Sequence, residues 1–315
     1  MKKLLLSCLI VLFSVSVIAQ NSVNLKMNPE KNKVYRFSSA SEQTTVQTVN
    51  GNQQTIESKS HDAVSIKMID ATAGFMVAEV HFDTLISIIN TMGKTITTTS
   101  VAEGDIKSSE TADIMSCIKN RLSRNAVYAK IDYTGKVLEI VNLKMLSDVI
   151  MKDTSSITLT GLVRSGLKTQ IESTVSDNTL KTMIETFTHY LPGRQVSAGD
   201  NWNVTVRTNS GGMILDIITS YRLDGVKGNS ANITAESEIK AAENEGPMVT
   251  GGVTITYDNL KGLSKSNMVV DINTGLMIED KAKTHITGNL GVSGPGFSIQ
   301  MPMDINGESK VIALQ

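Results

Sequence analysis

The first third of the chain alternates apolar and polar residues with period two, the pattern of strands that bury one face. Residues 44–49 and 53–58 flank Asn50-Gly51, a pair favoured in hairpin turns because both central residues need positive φ. A second hairpin is predicted from residues 86–90 to 95–99, across Met92-Gly93. The inward positions between the two hairpins are Val64, Ile66, Met68, Met76, Ala78, Val80 and Phe82.

The middle of the chain changes to the helical period. Ser108 or Ser109 is placed to cap a helix that carries four apolar residues on one face, namely Ile114, Cys117, Ile118 and Leu122. A hairpin is predicted at residues 128–141, and Asn142 is placed to cap a short helix through Ile150. The clearest helix runs from about residue 179 to 190, and Pro192-Gly193 ends it.

The last third returns to strand patterns at residues 202–206, 213–221, 233–239, 253–257, 268–271, 276–279 and 297–303. No Pro-rich or Ser-rich linker separates these blocks, so one domain is predicted over residues 20–315. It comprises a strand block at about 24–106, a helical middle at about 107–192 and a strand block at about 193–315. The predicted fold is α+β and mainly antiparallel β: a large curved sheet, in the form of an open half-barrel, packed on the central helices.

The N-terminus has the layout of a secretory signal peptide at residues 1–19. Lys2 and Lys3 precede an apolar run at 4–18, and Ala19 supplies the small residue before the cleavage point. The run is shorter than the roughly 20 residues of a membrane-spanning helix, so no transmembrane span is predicted after cleavage. We expect an exported protein in the periplasm, at the cell surface or secreted. Lipidation at Cys8 is the alternative.

Charge and cysteine content exclude several classes of function. The 30 basic and 31 acidic residues show no basic surplus, so a nucleic-acid partner is not expected. Without the signal peptide the chain keeps Cys117 alone, so it cannot form an internal disulfide. Cys117 lies on the apolar stripe of its helix, which favours a structural thiol over a nucleophile. No cofactor motif is present, and none is predicted.

Two patterns in the sequence are typical of catalytic or metal sites. Glu79, His81 and Asp83 share one face of a predicted strand and could bind a divalent metal, although a solvated strand face is the favoured explanation. Three S-x-x-K patterns begin at Ser116, Ser165 and Ser237, and Ser176-Asp177-Asn178 supplies an S-D-N. The Lys-Thr-Gly element of the penicillin-binding enzymes is absent, and short patterns recur by chance. The sequence therefore predicts a protein that is not an enzyme.

The methionine content suggests a ligand-binding surface. The chain has 15 Met and few aromatic residues, a composition suited to an adaptable apolar pocket as well as to ordinary core packing. Met301 and Met303 on a predicted strand, and Trp202 at the start of another, are the candidate ligand-binding residues. A lipid or other apolar small molecule is the predicted partner. The alternative is an interaction module that binds another envelope protein through a sheet edge or an exposed apolar patch.

The segments Asp132-Tyr133-Thr134-Gly135 and Asp271-Ile272-Asn273-Thr274-Gly275 echo each other. Shared turn chemistry and an internal duplication both explain the echo.

The segment from Tyr190-Leu191-Pro192 to Gly199-Asp200-Asn201-Trp202 resembles one that recurs in secreted envelope proteins of Bacteroidetes-type bacteria. In those proteins a helix ends in Pro, and V-x-x-G-D-x-W opens a strand block. That family has no known function. The resemblance implies an envelope location and a β-rich fold, and it assigns no catalytic residue.

Overall fold

The computed structural model describes residues 22–49, 51–210, 213–242, 247–250 and 252–314. The predicted signal peptide, Asn50 and Gly211-Gly212 lie outside the described residues.

Strands form both ends of the described chain, with helices between them. The first strand block contains β1 (Val23–Leu25), β2 (Val34–Val49), β3 (Asn52–Ala71), β4 (Met76–Thr91) and β5 (Lys94–Thr99). The middle contains α1 (Thr111–Ser123), β6 (Val127–Ile131), β7 (Val137–Ile140), α2 (Leu143–Ile150), a 3₁₀ turn at Thr154–Ser156, α3 (Gly161–Thr174) and α4 (Asp177–Thr188). The second block contains β8 (Arg194–Val196), β9 (Asn201–Ser210), β10 (Met213–Lys227), β11 (Ser230–Ala241), β12 (Met248–Thr250), β13 (Val253–Asp271), β14 (Met277–Gly294) and β15 (Phe297–Leu314).

The described strands form one large antiparallel sheet and a small one. The large sheet has the order β7-β6-β4-β3-β2-β15-β14-β13-β11-β10-β9, with β5 paired to β4 and β12 paired to β13. β1 pairs with β8 in the small sheet. The prediction of a mainly antiparallel fold with central helices is therefore confirmed.

The strand order contains the same unit twice. The strands β7-β6-β4-β3-β2 and β14-β13-β11-β10-β9 follow one another in the same order along the sheet, and β15 joins the two sets. Asn32 N–H donates to the Met68 carbonyl before β2, and Gly199 N–H donates to the Leu223 carbonyl before β9, both at 2.7 Å. This repetition favours an internal duplication, the explanation that the sequence echo alone left open.

The two echoing segments are the equivalent turns β6–β7 and β13–β14. In each turn, the carboxylate of the first Asp accepts a hydrogen bond from the main-chain N–H two residues later. Thr134 N–H donates to Asp132, and Asn273 N–H donates to Asp271, both at 2.8 Å. The segment after β1 lies between the turns. Met27 N–H donates to the Tyr133 carbonyl at 2.9 Å, and Asn28 N–H donates to the Thr274 carbonyl at 2.7 Å.

The main core lies between one face of the sheet and the helices. We call this the inner face; it carries Phe37, Ile66, Val80 and Ile233, all buried with the helices' apolar stripes. Those stripes include the four residues predicted for α1 and, on α4, Leu180, Ile184 and Phe187. The alternation read from the sequence thus places the predicted residues on the buried side of the sheet.

Helix α4 and the segment after it contact both end strands of the large sheet. A Glu185 carboxylate oxygen accepts the main-chain N–H of Val137 on β7 at 2.9 Å. On the other side, the Trp202 indole N–H at the start of β9 donates to the Tyr190 carbonyl at 2.9 Å. Helix α4 and the segment after it therefore supply hydrogen-bond partners to the strands at the two ends of the sheet order.

Several predicted boundaries were wrong. Helix α1 starts after Glu110 with no side-chain cap, because the Ser108 hydroxyl accepts the Glu110 N–H in the preceding turn. Asn142 does precede α2, but its side chain bonds to the main chain of Tyr128 and Ala126 instead of the helix. The last predicted helix runs from Asp177 to Thr188, capped by Ser176. Helix α3 was not predicted.

Candidate functional site

Trp202 is a packing residue of the main core. It is 8% exposed and stacks on Tyr221 with ring centroids 5.7 Å apart and planes inclined by 10°. Its N–H group is already bonded to Tyr190. The turn of the V-x-x-G-D-x-W segment is held by Asp200, whose carboxylate accepts the Ser197 N–H at 2.9 Å. This environment supports the packing interpretation of Trp202 more than stacking on a ligand.

Glu79, His81 and Asp83 lie together on the outer face of β4, opposite the core. Glu79 contacts Lys67 at 2.9 Å and His81 Nε2 at 3.0 Å, and these hydrogen bonds hold the pKa of Glu79 below its usual range. The Asp83 carboxylate accepts a hydrogen bond from Ser65. Within the described residues, no three His, Cys, Asp or Glu side chains are grouped to hold a metal ion. The trio has protein partners of its own.

The S-x-x-K residues do not pair as a catalytic dyad would. The Ser116 hydroxyl donates to the Ala112 carbonyl and accepts the Thr99 N–H, whereas Lys119 donates to Ser87 and Thr98. Ser237 and Lys240 are three residues apart on β11, so they point to opposite faces. Ser176 caps α4 by accepting the Thr179 N–H at 3.2 Å. Each of these residues thus has a structural contact.

The inner face of the sheet is divided into three zones along the strands. The main core occupies the zone nearest the helices. A band of hydroxyl side chains follows, which we call the polar belt; it comprises Ser41, Ser58, Ser60, Ser87, Thr98, Thr219, Ser237, Ser264, Ser266, Thr284 and Ser309. Beyond it lies a second apolar zone, the distal apolar patch, comprising Ile56, Ile89, Ile96, Leu215, Ile217, Ile239, Tyr257, Leu260, Ile286, Leu290, Met301, Met303 and Ile305.

Hydroxyl groups in the polar belt hydrogen-bond to one another across neighbouring strands. The pairs are Ser41 with Ser60 at 2.9 Å, Thr219 with Ser237 at 2.8 Å, and Ser264 with Thr284 at 2.8 Å. Such pairs satisfy polar groups on a half-buried surface. The belt therefore separates two apolar zones without leaving these hydroxyls unbonded.

Three ionisable groups lie at the edge of the belt toward the core. Burial raises the pKa of Asp62 and of Asp280, and burial lowers the pKa of the Lys119 ammonium. The opposite charges of Asp62 and Lys119 partly offset these two pKa shifts, because each charge favours the ionised form of the other group. One Asp280 carboxylate oxygen is buried and has no hydrogen-bond partner among the described residues. In the sequence, Lys119 stood out only as the lysine of the S-x-x-K pattern that begins at Ser116, and no pattern marked Asp62 or Asp280.

The distal apolar patch combines buried and accessible side chains. Met303, Ile305, Leu215, Ile239 and Leu260 are buried together. Met301 is partly buried, while Ile89 and Ile96 are 38% and 41% exposed. Met301 and Met303 thus lie on the inner face in the distal apolar patch, whereas Trp202 lies in the main core.

A family model for a family of unknown function, DUF6263, matches residues 73–277, more than half of the chain. The protein belongs to the DUF6263 family. Because the family has no known function, the match assigns no activity to this chain. No curated protein matches the chain.

Similar solved structures are distant. Lipovitellin, from a structure concerned with lipid–protein interactions, is 11% identical with a TM-score of 0.41 over 91% of this chain; the chain spans 25% of lipovitellin. An outer membrane channel from Pseudomonas putida F1 is 7% identical, with a TM-score of 0.20 over 91% of this chain and 97% of the channel. Pseudomonas aeruginosa OpdQ is 5% identical, with a TM-score of 0.25 over 90% and 100%. Similarities with TM-scores this low do not indicate a function for this chain.

In the described part of the chain, no helix combines the length and apolar character needed to cross a bilayer.

Proposed function

We propose that this DUF6263 protein is an exported, non-catalytic protein that binds a lipid-like or other apolar ligand on the distal apolar patch. The observation that carries the proposal is the accessibility of inward-facing Ile89, Ile96 and Met301 beyond the polar belt. An apolar surface with exposed area gains free energy when it is covered, by about 25 cal/mol for each Å² removed from water. Accessible apolar surfaces of this kind are typical of ligand sites.

The proposal includes a sheet bent into an open half-barrel around this patch. Its support is the double contact of α4 and the segment after it, through Glu185 to β7 and through Tyr190 to β9. Strands β7 and β9 lie at opposite ends of the sheet order and contact the same helix and the segment after it. These contacts fit an inner face that curves around the helix. On β15, the inner residues from Met301 to Val311 are more buried than their outward neighbours, which fits a concave surface.

Binding is tested with a neutral fluorescent apolar probe, N-phenyl-1-naphthylamine. Ile286→Asn places an amide in the distal apolar patch, and desolvating it without a partner costs about 1–3 kcal/mol, so the affinity for the probe should fall about tenfold. The matched control is Leu263→Asn, because Leu263 lies next to Ile286 in the sheet but on the outer face, 62% exposed. Equal affinities of both variants and the unaltered protein would refute the proposed site.

Export is tested on the protein produced in a bacterial host. We expect intact-mass measurement of the exported chain to give an N-terminus at Gln20, after removal of residues 1–19. A chain that keeps Met1 and stays with the cytoplasmic fraction would contradict export.

A second candidate function is binding to another envelope protein through an exposed apolar surface. The observation that favours it is the outward side of α2, where Val141, Met145 and Val149 line an open groove of about 600 Å³ and Met145 is 56% exposed. If a photo-crosslinking amino acid replaces Met145 in cells, irradiation should then yield one reproducible adduct with a partner protein. The same amino acid at exposed Leu263 is the control and should yield no adduct. Absence of an adduct at position 145 would count against this function.

A further inference from the structure

Lys119 projects from the main core into the polar belt. Its neighbour on α1, Ile118, is buried, while its ammonium group reaches the inner face between β4 and β5. There it donates to the hydroxyls of Ser87 and Thr98, each at 2.8 Å. Ser87 and Thr98 face each other in the strand pairing, so the two hydroxyls flank the ammonium.

The Lys119 ammonium lacks an ion-pair partner in the described part of the protein. A lysine has three N–H donors, and the two hydroxyls take two of them. No described carboxylate lies within 4.0 Å of its nitrogen, although Asp62 on β3 is near enough to interact electrostatically. Charged groups removed from water are normally paired, because an unpaired one forfeits its hydration without compensation.

The surroundings of Lys119 are polar on one side and apolar on the other. Ile89 and Ile96 pair with each other two residues beyond Ser87 and Thr98, and both face inward. Two residues along a strand span about 6.6 Å, so the ammonium lies within one such step of the distal apolar patch. Asp62 lies on the opposite side, toward the core, two residues from Ser60.

We infer that Lys119 binds the anionic head group of a single-chain carboxylate amphiphile whose hydrocarbon tail lies on the distal apolar patch. This inference rests on the proposed function and adds the ligand class to it. The carboxylate takes the remaining N–H donor and accepts hydrogen bonds from the belt hydroxyls. The tail covers Ile89 and Ile96 and continues toward Ile56. The nearby carboxylate of Asp62 attracts the ammonium electrostatically and repels an anion, so it weakens the affinity for the ligand.

The experiment compares oleic acid with methyl oleate, which has the same tail and no charge. Both are titrated against N-phenyl-1-naphthylamine bound to the full exported chain. We expect oleate to displace the probe at about tenfold lower concentration than the ester, as one charge-assisted hydrogen bond provides. Lys119→Met should remove this preference and leave the ester unaffected, while Lys119→Arg should retain it. Asp62→Asn should raise the affinity for oleate severalfold.

Lys265→Met is the matched control, since Lys265 lies on the outer face and pairs with Glu236 at 2.8 Å. Circular dichroism verifies that each variant is folded. If acid and ester displace the probe equally, and Lys119→Met changes neither, the head-group inference is overturned while the apolar site stands. If the probe binds but neither lipid displaces it, the inference is also overturned. If the probe does not bind the unaltered protein, the proposed function itself fails.

Discussion

The Trp202 indole N–H and the Tyr190 carbonyl oxygen are 2.9 Å apart, and this hydrogen bond joins β9 to the segment after α4. The Tyr190 side chain extends the connection, because its hydroxyl donates to the Gly275 carbonyl at 3.0 Å. Tyr190 is buried, and its burial raises the pKa of the phenol far above the usual value. An end strand, a helix terminus and one of the duplicated turns therefore meet at a single buried residue.

Trp202→Phe should destabilise the protein through this bond. The ring can still pack near Tyr221, but the buried Tyr190 carbonyl loses its indole donor. An unsatisfied buried acceptor costs about 1–3 kcal/mol, and we expect the free energy of unfolding to fall by that amount. Urea denaturation followed by circular dichroism measures the change, since the variant has no Trp left for fluorescence.

Tyr35 provides the control for Trp202 because it occupies the equivalent position at the start of β2 in the duplicated unit. Its hydroxyl accepts the N–H of exposed Glu30 at 3.0 Å. Since water can replace that bond, Tyr35→Phe should change stability by less than about 1 kcal/mol. A loss as large as that of Trp202→Phe would show that burial does not decide the difference.

The duplicated turns make a second prediction. Gly135 has φ of +90°, and a Cβ at this position would overlap the Thr188 carbonyl oxygen. Because Thr188 also donates its hydroxyl to the Gly135 carbonyl at 2.6 Å, the two segments cannot separate without losing a buried bond. Gly135→Ala should therefore cost more than the roughly 1–2 kcal/mol of a left-handed conformation alone.

Gly161 is the matched control for that substitution. Its φ is +62°, and nothing lies within 4 Å of the position of an added Cβ. Gly161→Ala should therefore cost about 1–2 kcal/mol, from the backbone conformation only. Thermal unfolding measures both variants, and similar midpoints for the two would disprove the steric argument.

Hairpins could be predicted from the sequence where local turn chemistry decides them. Gly51 and Gly93 take positive φ in the two predicted turns, and the Asp132–Gly135 turn joins β6 to β7 as expected. Such turns depend on a few adjacent residues, so a single sequence contains the needed information.

The length of the strands could not be predicted, and the polar belt is the physical reason. Residues 253–257 and 268–271 were read as separate strands, but both belong to β13. Between them, Ser264 and Ser266 occupy inward positions where alternation would require apolar residues. Strand β3 was divided in the same way, between residues 53–58 and Val64, where Ser60 occupies an inward position. The feature that hid the strands is thus the one that defines the candidate site.

Helix α3 was missed because its apolar stripe is weak. In the structure it buries Leu167 and Ile171, while Leu162 and Val163 are exposed. Gly161 and Gly166 lower its intrinsic preference for the helical state. Lys119 could not be recognised as a site residue either, because Ser87 and Thr98 are brought to it only by the folded sheet.

Cys117 should be unreactive in the folded protein. It is buried on α1, and this burial raises the pKa of its thiol, which lowers the fraction of reactive thiolate. We expect iodoacetamide to leave the native protein unmodified at neutral pH and to add one group in denaturant. Rapid modification of the native protein would show that α1 opens or that the thiol is accessible.

Removing the charge of Asp280 should stabilise the folded protein. Burial raises its pKa above the ordinary 3.8, so the folded state binds a proton more readily than the unfolded state. Stability from this group therefore falls as pH rises through the window between the two pKa values, and the penalty is complete above the folded-state pKa. Asp280→Asn should raise the unfolding midpoint at pH 7, and this gain should vanish below the unfolded pKa, where both states are protonated.

Glu279→Gln is the control with the opposite sign, because contact with Lys281 at 2.8 Å lowers the pKa of Glu279. A gain for Asp280→Asn that is the same at every pH would mean that the effect comes from packing and not from the buried charge.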